Sequence, residues 1–100
     1  MKIDKEHMAE NAGEAAQFLK CLSNANRLML LCALLDKERS VSQLNEEVPL
    51  SQSALSQHLS VLRDANIVST RRESQTIYYQ LKDPRVAGIL RPLYQMFCGD

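Results

Sequence analysis

Pro49 stands inside a pattern that would otherwise read as one long helix, and it forces that pattern to break. Apolar side chains recur at helical spacing on both sides of it: Leu44 and Val48 before, then Ala54, Leu55, Leu59, Val61 and Leu62. A proline in a helix interior lacks the N–H of the ladder and clashes with the preceding turn, so the chain must turn at Pro49-Leu50. Ser42 and Ser51 are placed to cap the two halves. The expectation is a short helix over 42–48, a tight turn, and a second helix from 51 to about 65. After Asn66 the period drops to two. Residues 67–72 and 75–81 are rich in β-branched and aromatic side chains, with Glu73-Ser74 as the turn between them. Two short helices joined tightly and followed at once by a β-hairpin make a helix-turn-helix with a wing.

The flanks complete the plan. Met8, Ala12, Ala15, Ala16, Leu19 and Leu22 predict a first helix over about 6–22, with alanines that allow another helix to approach closely. Ser23 is the expected cap of a second helix running from Asn24 to about Leu35. Its run from Leu28 to Leu35 is apolar almost all round, which marks the buried centre of a domain. Asp36-Lys37-Glu38-Arg39 is a polar break. Asp83-Pro84 opens a last helix over about 84–98, lined by Val86, Ile89, Leu90, Leu93, Tyr94 and Phe97, with Pro92 a candidate kink. The predicted fold is mainly α: one domain over 1–100, five helices and a two-stranded wing in the order ααααββα. The first helix (Ala12, Ala15, Ala16, Leu19) and the last (Ile89, Leu90, Leu93, Phe97) carry more apolar stripe than one chain of 100 residues buries, so a homodimer through these two helices is expected.

Composition sets outer bounds. With 45% apolar and 24% charged residues the chain is ordinary for a globular protein, and no apolar stretch approaches the roughly 20 residues of a membrane span. The start, Met1 to Glu6, lacks the apolar segment of a secretory signal. These features predict a cytoplasmic protein whose thiols are kept reduced. No nucleophile–base motif or phosphate loop is present, so an enzyme is not expected, nor a cofactor.

The helix from Ser51 to Arg63 is the most informative segment. Its apolar stripe leaves Ser53, Ser56, Gln57 and Ser60 together on the other face. Short hydroxyls and an uncharged amide suit the major groove, where Gln bonds adenine edges and Ser bonds several bases. Gln52 lies near the helix N-terminus, which itself attracts phosphate, and Arg63 closes the helix. Arg71, Arg72 and Gln75 at the hairpin tip are placed for the DNA backbone or minor groove. The partner expected is double-stranded DNA with a pseudo-palindromic operator. The net charge of zero is unusual for such a surface, but the segment 50–82 holds four basic residues against two acidic ones. His58, beside the apolar stripe, reads as a structural histidine.

Leu50 to Leu59, with Leu62-Arg63, Arg71-Arg72-Glu73 and Tyr78-Tyr79-Gln80-Leu81, resembles the ArsR/SmtB family of bacterial winged-helix regulators. Leu19 to Asn24 with Arg27-Leu28 matches the usual entry into that family's second helix, and the resemblance spans about residues 14–98. It implies a dimer built from the first and last helices, and operator binding that an inducer weakens. Many members sense metals through a Cys-x-Cys pair on the helix corresponding to 42–48 or through Asp/His ligands on the last helix. Here 42–48 has no Cys and 85–97 neither His nor acid, so no metal is expected. What remains is Cys32 on the second helix and Cys98 just beyond the last. Two cysteines so placed resemble the branch of HlyU, BigR and SqrR, several of whose members respond to oxidants or reactive sulfur species. The resemblance implies a redox switch of Cys32 and Cys98; the thiolate it needs could be favoured by Arg91 or by the surroundings of the second helix. By packing alone, Cys32 reads as one more buried residue among leucines, and Cys21 as structural. Two alternatives stand beside the switch: a regulator with no thiol chemistry that displaces another DNA-bound protein, and a winged helix used for protein interaction.

Overall fold

The computed structural model describes residues 1–99. In chain order it contains α1 (Lys5–Leu22), α2 (Ala25–Ala33), β1 (Arg39–Ser40), α3 (Val41–Glu47), α4 (Gln52–Asp64), β2 (Val68–Glu73), β3 (Thr76–Leu81) and α5 (Arg85–Cys98). This is a winged helix-turn-helix, five helices around a small sheet. The wing is three-stranded rather than two-stranded, with β1 pairing antiparallel with β3 in the order β1-β3-β2. A two-residue strand has no period to detect, and its backbone partners, Tyr78 and Tyr79, lie far along the chain.

Local signals set the helix boundaries. Asp4 accepts from the N–H groups of Glu6 and His7 and so starts α1. Asn24, not Ser23, caps α2, accepting from the N–H groups of Asn26 and Arg27; Ser23 instead ends α1. Ser40, not Ser42, caps α3. Its hydroxyl accepts from the Gln43 N–H at 3.2 Å while the Gln43 side chain accepts from the Ser40 N–H at 2.9 Å, a reciprocal capping box. Ser51 caps α4 as its position implies. At the turn, the Asn45 amide donates to the Leu50 carbonyl at 3.1 Å and ties α3 to the entry of α4. The last helix continues through Pro92, which leaves the exposed Gly88 carbonyl without its ladder donor. Cys98 is the final residue of that helix rather than lying beyond it.

The exit from α4 aims the wing. Asn66 adopts φ 60°. Its N–H bonds to the Arg63 carbonyl at 3.0 Å, and the Ile67 N–H bonds to the Leu62 carbonyl at 3.0 Å. This is a Schellman termination with Asn in the left-handed position. Leu62 and Ile67, both essentially sealed, supply the apolar contact that accompanies it. Ser74 (φ 59°) is the first residue of the two-residue hairpin turn Ser74-Gln75, one step later than Glu73-Ser74.

One core joins these elements. Leu30 and Leu31 of α2 have no exposed surface and lie in one cluster with Leu44 of α3, Leu55, Leu59 and Leu62 of α4, and the sheet residues Val68 and Tyr79. Burying each such leucine contributes about 1.5–3 kcal/mol. The helix α2 is not buried all round, however. Met29 and Cys32 are exposed on the side away from Leu30 and Leu31. Of the stripe expected on the last helix, Leu90 is in the core of the single chain and Leu93 packs against it, while Ile89 and Phe97 face outward.

The left-handed turn at Asn66 makes a test of the wing's anchorage. Asn66→Gly should leave the melting temperature unchanged or raise it. Asn66→Val, a β-branched residue in the αL region, should lower stability by about 1 kcal/mol or more, or roughly 4–8 °C in Tm for a chain of this size. Thermal unfolding followed by circular dichroism reads both.

Candidate nucleic-acid interface and thiol site

The helix α4 divides cleanly. Leu55, Leu59 and Leu62 are buried and Ala54, His58 and Val61 half-buried. Gln52, Ser53, Ser56, Gln57, Ser60 and Arg63 are all exposed. At about 100° per residue these six span about 140° of arc, one continuous face. No acidic side chain interrupts it before Asp64, and Arg63 is its one formal charge. The Ser53 hydroxyl lies 3.4 Å from that of Ser51, beside the α4 N-terminus. His58 sits on the inner flank, its Nδ1 3.3 Å from Nη1 of Arg27. Arg27 in turn donates from Nε to the Cys21 carbonyl at 2.7 Å, so α1, α2 and α4 meet at one guanidinium.

Residues Arg71, Arg72 and Gln75 of the wing are exposed at its far end, Gln75 in the turn. The two arginines do not act as a pair. Alternation along β2 sends them to opposite faces, Arg71 beside Tyr78 and Arg72 beside Ile77. Arg72 makes no ion pair among the described residues, whereas Arg71 is held by Glu38 and Glu73 and stacks on the Tyr78 ring. Hydrogen bonding by these two carboxylates raises the Arg71 pKa further above its ordinary range.

The thiols depart from the sequence expectation. Cys32 is exposed rather than packed among leucines. It lines a cavity of about 400 Å³ with Leu35 of the α2–β1 segment and Arg91, Tyr94 and Gln95 of α5. Cys98 follows Tyr94 and Gln95 by one helical turn, on the same face as those walls. The two thiols are near enough for a charge on Cys98 to act on Cys32. Burial first, and Cys98 second, push the Cys32 pKa above the ordinary cysteine range. Arg91 does not offset this; it is paired with Asp36 at 3.0 Å. Cys21 is half-buried and lines a separate cavity of about 230 Å³ with Glu14, Phe18 and Arg85. Among the described residues, no three His, Cys, Asp or Glu side chains gather as a metal site, and no helix is long and apolar enough to cross a membrane.

Sequence reasoning passed over the residues that position these surfaces: Asn45 at the turn, Arg27 behind His58, and Glu38 against the wing. Asn45 carried a usable local signal, being an amide a few residues before a proline turn. The others carried none, since Arg27 and His58 are 31 residues apart and Glu38 and Arg71 are 33 apart.

Comparison with known proteins agrees with this geometry. Residues 24–70 match the family described as bacterial regulatory protein, arsR family. The chain is 43% identical over 96 residues to the transcriptional activator HlyU of Vibrio cholerae serotype O1, a match covering 96% of this chain and 89% of that protein. Its fold is similar to the crystal structure of the transcriptional repressor BigR from Xylella fastidiosa, with TM-score 0.91, 41% identity, and coverage of 98% of this chain and 100% of that one. It is also similar to reduced HlyU from Vibrio cholerae N16961, with TM-score 0.86, 43% identity, and coverage of 93% and 98%.

The elevated Cys32 pKa has a direct consequence. At neutral pH Cys32 is held as the neutral thiol, so its alkylation by iodoacetamide should rise with pH to a midpoint above the roughly 8.5 of a free cysteine. Replacing Cys98 by Ser removes the like charge and should lower that midpoint, but not to the free value, because burial remains. Peptide mass spectrometry across pH measures it; a Cys32 midpoint below that of a free thiol would contradict the assignment.

Proposed function

This chain belongs to the bacterial ArsR family and is a DNA-binding transcriptional regulator, not an enzyme; from that premise we propose that it acts as a homodimer whose grip on a pseudo-palindromic operator is released when Cys32 and Cys98 are oxidised or bridged by sulfur. The observation that carries the DNA-reading part is the α4 face. Its six outward residues are exposed and acid-free, while the opposite face is locked into the core. In the proposed complex Ser53, Ser56, Gln57 and Ser60 read base edges, and Gln52, Arg63, Arg71, Arg72 and Gln75 meet the backbone or minor groove.

The dimer follows from what the single chain leaves uncovered. On α1, Leu19 is 50% exposed, and on α5, Phe97 is 81% exposed. Covering them with a second copy buries both and sets two α4 helices for successive major grooves, about one DNA turn of roughly 34–36 Å apart. Gel shift on an operator duplex, with light scattering of the free protein, tests this assembly. Two chains of 11.3 kDa are expected per particle. Gln57→Ala or Ser56→Ala should weaken specific binding more than non-specific binding. The Arg71/Arg72 double alanine variant should weaken both and flatten the salt dependence. A monomer at micromolar concentration, or normal binding by the double variant, would contradict the dimer or the wing assignment respectively.

The switch rests on the cavity between α2 and α5. A bond from Cys32 to Cys98 takes two electrons and two protons from the thiols into the oxidant. A polysulfide would instead leave one or more of its zero-valent sulfur atoms between the same two Sγ atoms, while the two electrons and two protons of the thiols depart with the rest of it as hydrogen sulfide. Either tie fastens α5, the proposed dimer helix, to α2, against which α4 packs. A shift of a few Å in the spacing of the two α4 helices would then cost affinity. Cys32→Ser and Cys98→Ser should each bind DNA like the reduced parent yet keep binding after peroxide or polysulfide, while Cys21→Ser should release as the parent does. Release by both single variants would remove the switch and leave DNA binding standing.

A further inference from the structure

Arg71 is well placed on the wing to meet DNA, yet in the free chain each of its guanidinium nitrogens already bonds a carboxylate. Its Nε lies 3.1 and 3.0 Å from the two oxygens of Glu38, and its Nη2 lies 2.6 Å from Glu38 Oε1. Nη1 donates to Glu73 Oε2 at 2.8 Å, and the guanidinium carbon sits 4.4 Å over the Tyr78 ring. All three nitrogens therefore face carboxylate oxygen, and the cluster of one cation and two anions is locally negative. The hydrogen bonds from Arg71 hold the Glu38 carboxyl below its usual range, so it stays ionised at neutral pH.

Glu38 is not a loose surface acid. The next residue, Arg39, pairs with Tyr79 in the sheet, bonds its Nε to the Ala33 carbonyl at 3.3 Å and forms an ion pair with Glu47 at 2.7 Å. Two residues earlier, Asp36 is tied to Arg91. The fold thus carries Glu38 to the wing from a segment anchored on α3, α5 and β3. Arginine grips carboxylate and phosphate with the same planar fork.

We propose that Glu38 is a built-in substitute for a DNA phosphate, and that by occupying Arg71 it sets how strongly the protein discriminates its operator from bulk DNA. The inference rests on the reading that the wing meets the DNA backbone. On a non-cognate duplex the wing is not held against any particular phosphate, and the tethered carboxylate keeps the guanidinium. On the operator, base contacts from α4 fix the wing in place, and a phosphate exchanges with Glu38. Where Glu38 keeps Arg71, one cation is withdrawn from the electrostatic term that supplies almost all non-specific binding.

The test compares Glu38→Gln with the parent on two duplexes, an operator selected from random sequence and a shuffled one, over a range of salt. On the shuffled duplex the variant should bind roughly fivefold tighter near 0.15 M salt, with the slope of log K against log salt steeper by roughly 0.9 for each added phosphate contact. Operator affinity should rise less, so the specificity ratio falls. Glu73→Gln should shift binding the same way by a smaller amount, and Arg71→Ala on the Glu38→Gln background should abolish the gain. Unchanged or weaker binding to the shuffled duplex, or an equal gain on both duplexes, overturns the proposal. Arg72→Ala in the parent separates the two levels of the argument. If it flattens the salt slope while Glu38→Gln does nothing, the wing contact survives and the phosphate-substitute role fails. If it leaves the slope unchanged, the wing reading itself fails.

Discussion

The packing of α4 against α2 is the contact on which the rest of the structure depends. Leu55, Leu59 and Leu62 enter the same sealed cluster as Leu30, Leu31 and Leu44. Once those side chains are inside, the helical period leaves the serine and glutamine side chains only the outer face. The core thus does two things at once: it stabilises a small chain and it fixes the orientation of the serine and glutamine face of α4. A rotation of α4 by one residue would bury hydroxyls and amides without partners. Among the described residues, no buried side-chain nitrogen or oxygen lacks a hydrogen-bond partner.

Charge is organised around that core in an economical way. The segment between α2 and α3 carries Asp36, Glu38 and Arg39, and each reaches a different element: α5, the wing and α3. Exposed ion pairs add little stability individually. Their effect here is placement. They connect the neighbourhood of Cys32 and Cys98 with the wing through four consecutive residues, and they leave Arg63 of α4 and Arg72 of the wing without an ion-pair partner among the described residues.

Much of this was legible in the sequence because the signals are local. Pro49, the serine and glutamine face of α4, the change of period after Asn66 and Asp83-Pro84 each act within a few residues, and helix-turn-helix and wing follow from them. Errors came where two local signals compete or where a partner is distant. Ser23 and Ser42 are good caps by type, but Asn24 and Ser40 lie where the backbone turns, and Gln43 completes the capping box only with Ser40. The strand β1 exists only because β3 is beside it. The run from Leu28 to Leu35 reads as wholly buried, but the tertiary arrangement covers one side and leaves Cys32 open to the cavity facing α5.

The sequence by itself determined the order of the five helices and the hairpin, the serine and glutamine face of α4 and the family to which the chain belongs. All of these depend on periodicity, caps and turn chemistry, whose range is one or two helical turns. Tertiary structure alone decided which charges meet, that Arg71 is bound to Glu38 while Arg72 has no ion-pair partner among the described residues, that Arg27 braces His58, and that a charge on Cys98 bears on Cys32. Those relations join residues 31 to 66 positions apart. No local preference encodes them, because they arise only when the core brings separate helices and strands together.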